Sequence, residues 1–444
     1  MRETEELISN LSHSGKNMRF PKEFMVGAAT AAHQVEGNNT NSDFWYMEHM
    51  VHTSFTEKSL EAADHYNRYK EDIKMLADAG MNAYRFSIEW ARIEPNEGEF
   101  DESQVEHYRD VIRCCHRYGV EPVITLMHFS SPKWLISKGG WEADTTPEDF
   151  ARYAAYVMER IGSEVKYVCT INEVNMGVLV AGFAKLREKQ LKKLGQSDDK
   201  SGQIQMGINM DQMLANKRAA AAENVEVFGV ESPQCFNYPR TEQGDCLVMK
   251  AHVLAREAIR RVCPDVKIGM SLSLHDIQCV PGGEKNAEDA WTQEFSHYLP
   301  AMDGDDFIGV QNYCRARYDS DGSMPAPDGA ELTQMKFEFY PDSVGPVIRR
   351  VAESFKGEII VTENGVAVSD DTRRVEFIRR ALAGVRECID DGLPVKGYFY
   401  WSLMDNFEWQ KGYSMTFGLA AVDRTTQVRT PKPSLKYLGS FCTK

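Results

Sequence analysis

Eight short apolar runs, rich in β-branched and aromatic residues, recur along this chain with amphipathic stretches between them, and that alternation limits what it can fold into. The runs cover roughly 24–34, 83–90, 121–129, 166–173, 267–274, 306–313, 358–363 and 395–403. Between them, 59–79, 103–118, 148–164, 245–262, 344–354 and 372–390 repeat their apolar residues with helical period. Gly80, Gly119 and Gly392 stand just past three of these stretches, where a helix stops. Alternating strands and helices build a parallel sheet, and eight such units favour a closed (β/α)8 barrel. A doubly wound open sheet is the alternative, but no GxGxxG follows the first run. The expected fold class is therefore α/β, a single (β/α)8 TIM barrel with extended βα loops over residues 19–444. Residues 1–18 read as a poorly ordered leader. The stretch 185–244 is too long for a simple barrel loop and reads as an insertion over the top face. Its Met206, Met210 and Met213 fall at helical spacing, as for a small satellite core.

Two of the runs end on a glutamate beside an asparagine: Val168-Cys169-Thr170-Ile171-Asn172-Glu173 and Ile359-Ile360-Val361-Thr362-Glu363-Asn364. A carboxylate is costly to bury unpaired, so two delivered at strand ends imply a working pair. Such a pair is what glycosidic bond cleavage needs, one group to protonate the leaving oxygen and one to act at the anomeric carbon. In a barrel, the C-terminal strand ends form the active face. Here those ends also carry Gln34, Arg85, His128, Asn172, Tyr313, Trp401 and the following Glu408-Trp409. Amides, imidazole, carboxylate and indole suit the hydroxyls and apolar face of a sugar.

A formal net charge of −15 argues against a nucleic-acid or anionic-membrane partner, since both need a basic face. Ten cysteines without a CxxC or zinc-like spacing read as free thiols of a reducing cytoplasm. The first 18 residues lack the apolar stretch of a signal peptide, and no run reaches the ~20 apolar residues of a membrane span. No metal-ligand grouping or phosphate loop is present, so no cofactor is expected. The expected partner is a small carbohydrate, with homo-oligomerisation left open.

Six motifs in one order resemble the family-1 β-glycosidases, which are retaining β-glucosidases and their relatives. They are Gly27-Ala28-Ala29-Thr30-Ala31-Ala32-His33-Gln34-Val35-Glu36-Gly37, Tyr84-Arg85-Phe86-Ser87-Ile88-Glu89-Trp90, Thr125-Leu126-Met127-His128-Phe129, Thr170-Ile171-Asn172-Glu173, Thr362-Glu363-Asn364-Gly365 and Trp401-Ser402-Leu403-Met404-Asp405-Asn406-Phe407-Glu408-Trp409. The likeness runs from about residue 20 to 441. It implies the same barrel, with Glu363 as nucleophile and Glu173 as acid/base. It further implies that Gln34, His128, Asn172, Glu408 and Trp409 hold sugar hydroxyls, that Trp401 forms the platform under the ring, and that Arg85 and Tyr313 contact the nucleophile. A fixed Arg85 would favour the ionised form of Glu363.

The chain departs from this pattern in places. Val174 replaces a proline after Glu173, a change expected to loosen that loop. Phe129 replaces a tryptophan, and Gln311-Asn312 precede Tyr313 where Asn-Tyr is usual. The implied activity is that of an exo-β-glucosidase, extending to β-fucosides or β-galactosides. A 6-phospho-β-glucosidase is disfavoured because Glu408 would repel a phosphate, and a non-catalytic sugar-binding barrel because both carboxylates are present. The leaving-group side, built by the loops, is the part that the motifs do not reach.

Overall fold

A computed structural model describes residues 18–194 and 204–442. Residues 1–17, and with them nearly all of the expected leader, lie outside the described residues. Eight parallel strands close into a barrel: β1 Met25–Ala29, β2 Ala83–Ser87, β3 Glu121–Met127, β4 Tyr167–Ile171, β5 Lys267–Ser273, β6 Phe307–Gln311, β7 Glu358–Asn364 and β8 Val395–Trp401. Each pairs with its neighbours in sequence, and β1 closes the ring by pairing with both β2 and β8. The helices between them include His65–Asp78, Glu102–Arg117, Thr146–Ile161, Glu242–Val262, Val344–Ser354 and Asp371–Asp390, within a few residues of the expected spans. Gly80, Gly119 and Gly392 take φ of 103°, 69° and 83°, the left-handed turn that ends a helix without a side-chain clash.

Side-chain alternation along the strands decides what faces the barrel axis. In β8, Tyr398 and Tyr400 pack outward in the large cluster under the helices, while Phe399 and Trp401 join the inner cluster with Met25, Ala83 and Val123. The same parity turns Arg85 inward with Ala83, leaving Tyr84 outward. In β7 simple alternation would send Glu363 outward with Val361. The pairing of β7 with both neighbours shifts register just after Val361, and such an irregularity re-aims the residues that follow it. Glu363 consequently meets the inward Arg85.

Several expectations need correction. The first run is not one strand to Gln34: β1 stops at Ala29, and a short helix Ala32–Val35 follows. The Ala32 amide donates to the Ser87 hydroxyl at 2.7 Å, which diverts the backbone from the ladder. Trp90 opens a helix, Trp90–Ile93, that Glu89 caps by accepting from the Ala91 amide. Met206 lies outside any helix, while Met210 and Met213 begin the helix Met210–Asn216. Met206 and Met210 are buried in the main core cluster, with Met213 packed against it, so they form no satellite core. Among the described residues, no helix is long and apolar enough to cross a membrane.

Candidate active site

Glu363 sits at the end of β7, buried, with three donors on its carboxylate. Arg85 Nη1 donates to Oε1 at 2.5 Å, Gln311 Nε2 to the same oxygen at 3.0 Å, and the Tyr313 hydroxyl to Oε2 at 2.5 Å. His128 Nε2 lies 4.0 Å from Oε1. Burial nevertheless raises the Glu363 carboxyl above its usual range, because desolvation outweighs Arg85, Tyr313 and Gln311. The expectation that Arg85 favours the charge holds in direction, but burial is the larger effect.

Arg85 is fully buried, and its other branch donates from Nη2 to Asn172 Oδ1 at 2.6 Å. Gln311 donates to that oxygen too, at 2.7 Å. With both donors on Oδ1, the Asn172 amide nitrogen is left without a partner inside the barrel mouth. An unpaired buried donor costs free energy comparable to a lost hydrogen bond, so it is poised for an acceptor on a ligand.

Glu173 follows Asn172 with φ of +44°, a left-handed conformation uncommon for a side chain with a Cβ. Its amide donates to Ser271 Oγ at 3.1 Å. Burial, and after it the negative charge of Glu363, push its carboxyl well above the carboxylate range. Val174 does not loosen this loop. Its amide donates to the Ser271 carbonyl at 3.0 Å, a bond no proline could make, and its carbonyl accepts from Arg240 Nη1 at 2.7 Å.

The opposite wall comes from the loops after β1, β3 and β8. Gln34 Nε2 donates to the Phe407 carbonyl at 2.8 Å and approaches Glu408 Oε2 at 3.5 Å, leaving its own Oε1 unpaired. Burial raises the Glu408 carboxyl to about 8, against the opposing pull of the Gly207 amide. The His128 ring stacks on Trp401 (centroids 5.7 Å, 20°) and on Trp409 (6.1 Å, 20°). Burial and then Arg85 depress His128 well below its usual range, so the imidazole is neutral. Phe129, also left-handed at φ +68°, packs edge-on to Trp409 and against Phe236 as a core aromatic.

The fold thus brings Gln34, Arg85, His128, Asn172, Glu173, Tyr313, Glu363, Trp401, Glu408 and Trp409 to one end of the barrel, all buried. Sequence reasoning missed three further contributors. Gln311 was noted only as a departure, yet it bridges Glu363, Asn172 and Ser271. Gln205 and Gly207 lie in the insertion-like stretch, where no periodicity flagged them. Gln205 Oε1 accepts from the Tyr313 amide at 2.7 Å, and its Nε2 donates to Ser273 Oγ at 3.0 Å. The Gly207 amide donates to Glu408 Oε1 at 3.1 Å. A Cβ on Gly207 would fall 2.5 Å from the Glu408 carbonyl oxygen, so only glycine allows this approach. Among the described residues, no group of three His, Cys, Asp or Glu could hold a metal.

Comparison with known proteins places this architecture. A model of glycosyl hydrolase family 1 matches residues 16–187 and 295–444. A β-glucosidase of an Agrobacterium species is 28% identical over 95% of this chain and 95% of its own length. β-Glucosidase A of Thermotoga maritima is 27% identical over 94% and 96%. Among solved structures, the β-glycosidase BGL167 superposes with a TM-score of 0.84 at 43% identity, covering 95% of this chain and 97% of that one. The T. maritima β-glucosidase in complex with glucoimidazole superposes with a TM-score of 0.77 at 25% identity, over 95% and 98%.

Proposed function

The chain belongs to glycosyl hydrolase family 1, and from that premise we propose that it is a retaining exo-β-glucosidase that uses Glu363 as nucleophile and Glu173 as acid/base. The observation that carries this reading is the unequal setting of two buried carboxylates. Glu363 receives Arg85, Gln311 and Tyr313, whereas Glu173 has the charge of Glu363 as its first neighbour effect after burial.

The chemistry follows from that asymmetry. Glu173 begins protonated and gives its proton to the glycosidic oxygen as the Glu363 carboxylate bonds the anomeric carbon and the C–O bond to the leaving group breaks. The ester so formed carries no charge, which removes one of the influences holding the Glu173 proton. Glu173 then accepts a proton from water as the water oxygen attacks the anomeric carbon, and Glu363 departs as the carboxylate. Retention results from two inversions. The Asn172 amide, free of protein partners, suits the 2-hydroxyl, where a hydrogen bond strengthens as positive charge develops on the ring. Gln34, Glu408 and Trp409 suit the hydroxyls at the far side, Trp401 the apolar face, and neutral His128 a further hydroxyl. Glu408, raised to about 8 by burial, offers a hydrogen-bond partner to a free hydroxyl and no positive charge to a 6-phosphate, which favours free β-glucosides over phosphorylated ones, with β-fucosides and β-galactosides as further substrates. Residues 19–444 form one catalytic unit on this reading, with 185–244 as an insertion that braces the site. Ten free cysteines are in keeping with a cytoplasmic enzyme.

Turnover of a chromogenic β-glucoside, with little on its 6-phosphate, is the expected result. Glu363→Ala should lose on the order of 10⁴-fold or more in kcat, and azide should restore reaction to give the α-glycosyl azide. Formation of the β-azide would remove Glu363 from the nucleophile role.

A further inference from the structure

Glu173 holds a backbone conformation that its own Cβ disfavours, at φ of +44°, so neighbouring bonds must impose it. Three of them come from the barrel strands. The Asn172 amide donates to the Met127 carbonyl at 2.9 Å, the Glu173 amide to Ser271 Oγ at 3.1 Å, and the Val174 amide to the Ser271 carbonyl at 3.0 Å. The fourth comes from outside the barrel, where Arg240 Nη1 donates to the Val174 carbonyl at 2.7 Å. Val174 is thereby pinned on both sides of its α-carbon. It stands in the place of a proline, whose ring would have stiffened the chain here. The two hydrogen bonds supply that stiffness instead.

Arg240 is itself built into the fold. Its side chain is buried, and Nη2 donates to the Phe236 carbonyl at 2.8 Å, with the guanidinium 4.5 Å from the Phe236 ring centroid. Its amide donates to the Gly177 carbonyl at 3.1 Å. Asp245, equally buried, lies 3.4 Å from Nη1 and is held in turn by the Tyr298 hydroxyl at 3.1 Å and by His297 Nε2 at 2.8 Å. A buried ion pair adds little to stability over apolar side chains of the same volume. What the guanidinium adds is a planar fork with donors on two carbonyls, one of them next to Glu173. The helix Met176–Leu194 admits it only through Gly177, where a Cβ would fall 2.7 Å from Arg240 Cζ. Arg240 and Asp245 lie between residues 187 and 295, outside the stretches matched to the family, so the family pattern assigns them no role.

We propose, resting on the acid/base role given to Glu173 above, that Arg240 is a positioning residue for proton transfer: its bond to the Val174 carbonyl keeps Glu173 in the left-handed conformation and so fixes where its carboxyl meets the glycosidic oxygen. Without that bond Glu173 relaxes, while Glu363 stays held by Arg85, Gln311 and Tyr313. The loss of rate then grows with the need of the leaving group for a proton.

The test compares kcat/KM on phenyl β-D-glucoside, whose leaving group needs a proton, with that on 2,4-dinitrophenyl β-D-glucoside, whose leaving group does not. Arg240→Met keeps the length of the side chain and removes its donors. It should lower the first about 30-fold and the second less than about threefold, widening their ratio about tenfold, a part of what general acid catalysis supplies. A brace that only stabilises the fold changes the amount of active enzyme, scales both rates alike and leaves the ratio as it is. Should Arg240→Met not fold, Gly177→Ala decides by the same ratio, because alanine favours the helix while its methyl displaces the guanidinium. An unchanged ratio in the folded variant would overturn the positioning role. The same two substrates on Glu173→Ala separate this from the proposed function. A ratio widened in Glu173→Ala but not in the Arg240 variant strikes the role of Arg240 alone; a ratio unchanged in Glu173→Ala strikes the acid role, and the role of Arg240 with it.

Discussion

At the scale of single residues, the two carboxylates are distinguished by their neighbours rather than by burial, which they share. Glu173 is raised first by desolvation and second by the charge of Glu363. Converting Glu363 to a neutral ester with a 2-fluoroglucoside should therefore lower the Glu173 pKa, though not to the usual carboxylate range, because burial persists. Carbon NMR of labelled glutamate would follow this, and an unchanged pKa would argue against the acid/base role. Glu173→Ala should cost ~10²–10⁴-fold with poor leaving groups and far less with good ones, since general acid catalysis matters only where protonation is needed. Rates on a series of aryl glucosides would give the slope. Gln311 shows how far local reading goes: its identity was visible as a departure from pattern, but its bonds to Glu363 and Asn172 require strands β4, β6 and β7 to converge.

At the scale of elements, residues 205–207 link parts of the site that the barrel alone leaves apart. Gln205 holds the backbone beside Tyr313, and the Gly207 amide holds Glu408, the former bearing on Glu363 and the latter on the proposed hydroxyl site. Gly207→Ala would drive a methyl toward the Glu408 backbone and displace that carboxyl. The expected outcome is a fall in kcat/KM for β-glucosides of about 10²-fold, mainly through KM, the scale of loss that follows small misplacement of a binding group. Steady-state kinetics together with circular dichroism would check it; a folded variant with unchanged KM would sever Gly207 from substrate binding. The register shift in β7 acts in the same way on Glu363. Neither device has a periodic signature, which is why strand and helix patterns did not reveal them.

For the molecule as a whole, a site packed with buried acids makes stability depend on pH. Burial raises Glu408 to about 8 and Asp43 to about 7. Both carboxyls keep protons in the fold at pH values where the unfolded chain has lost them. The unfolded state then binds fewer protons, and stability falls as pH rises from about 4 to 8. Between pH 4 and 6.5 the depressed histidines His107 and His128 oppose this, since burial makes their protonation unfavourable in the fold. Above pH 6.5 they are neutral in both states. The melting temperature should therefore drop between pH 6.5 and 8, and drop less in Glu408→Gln. Scanning calorimetry at the two pH values checks both parts; an equal drop in the variant would contradict the role of Glu408.

The barrel was legible because its cause is repetitive. Strand-like runs recur eight times with six helical stretches between them, and the glycines that end helices sit where their backbone must turn. The paired glutamates and most of their companions were legible because strand ends are marked by where apolar runs stop. What those residues touch was decided only by the closed barrel. Parity turned Arg85 inward, a register shift turned Glu363 to meet it, and an irregular segment without any period laid Gln205 and Gly207 against Tyr313 and Glu408. Patterns in sequence record which face of an element is apolar; contacts between elements far apart in the chain depend on closure, and closure leaves no local trace.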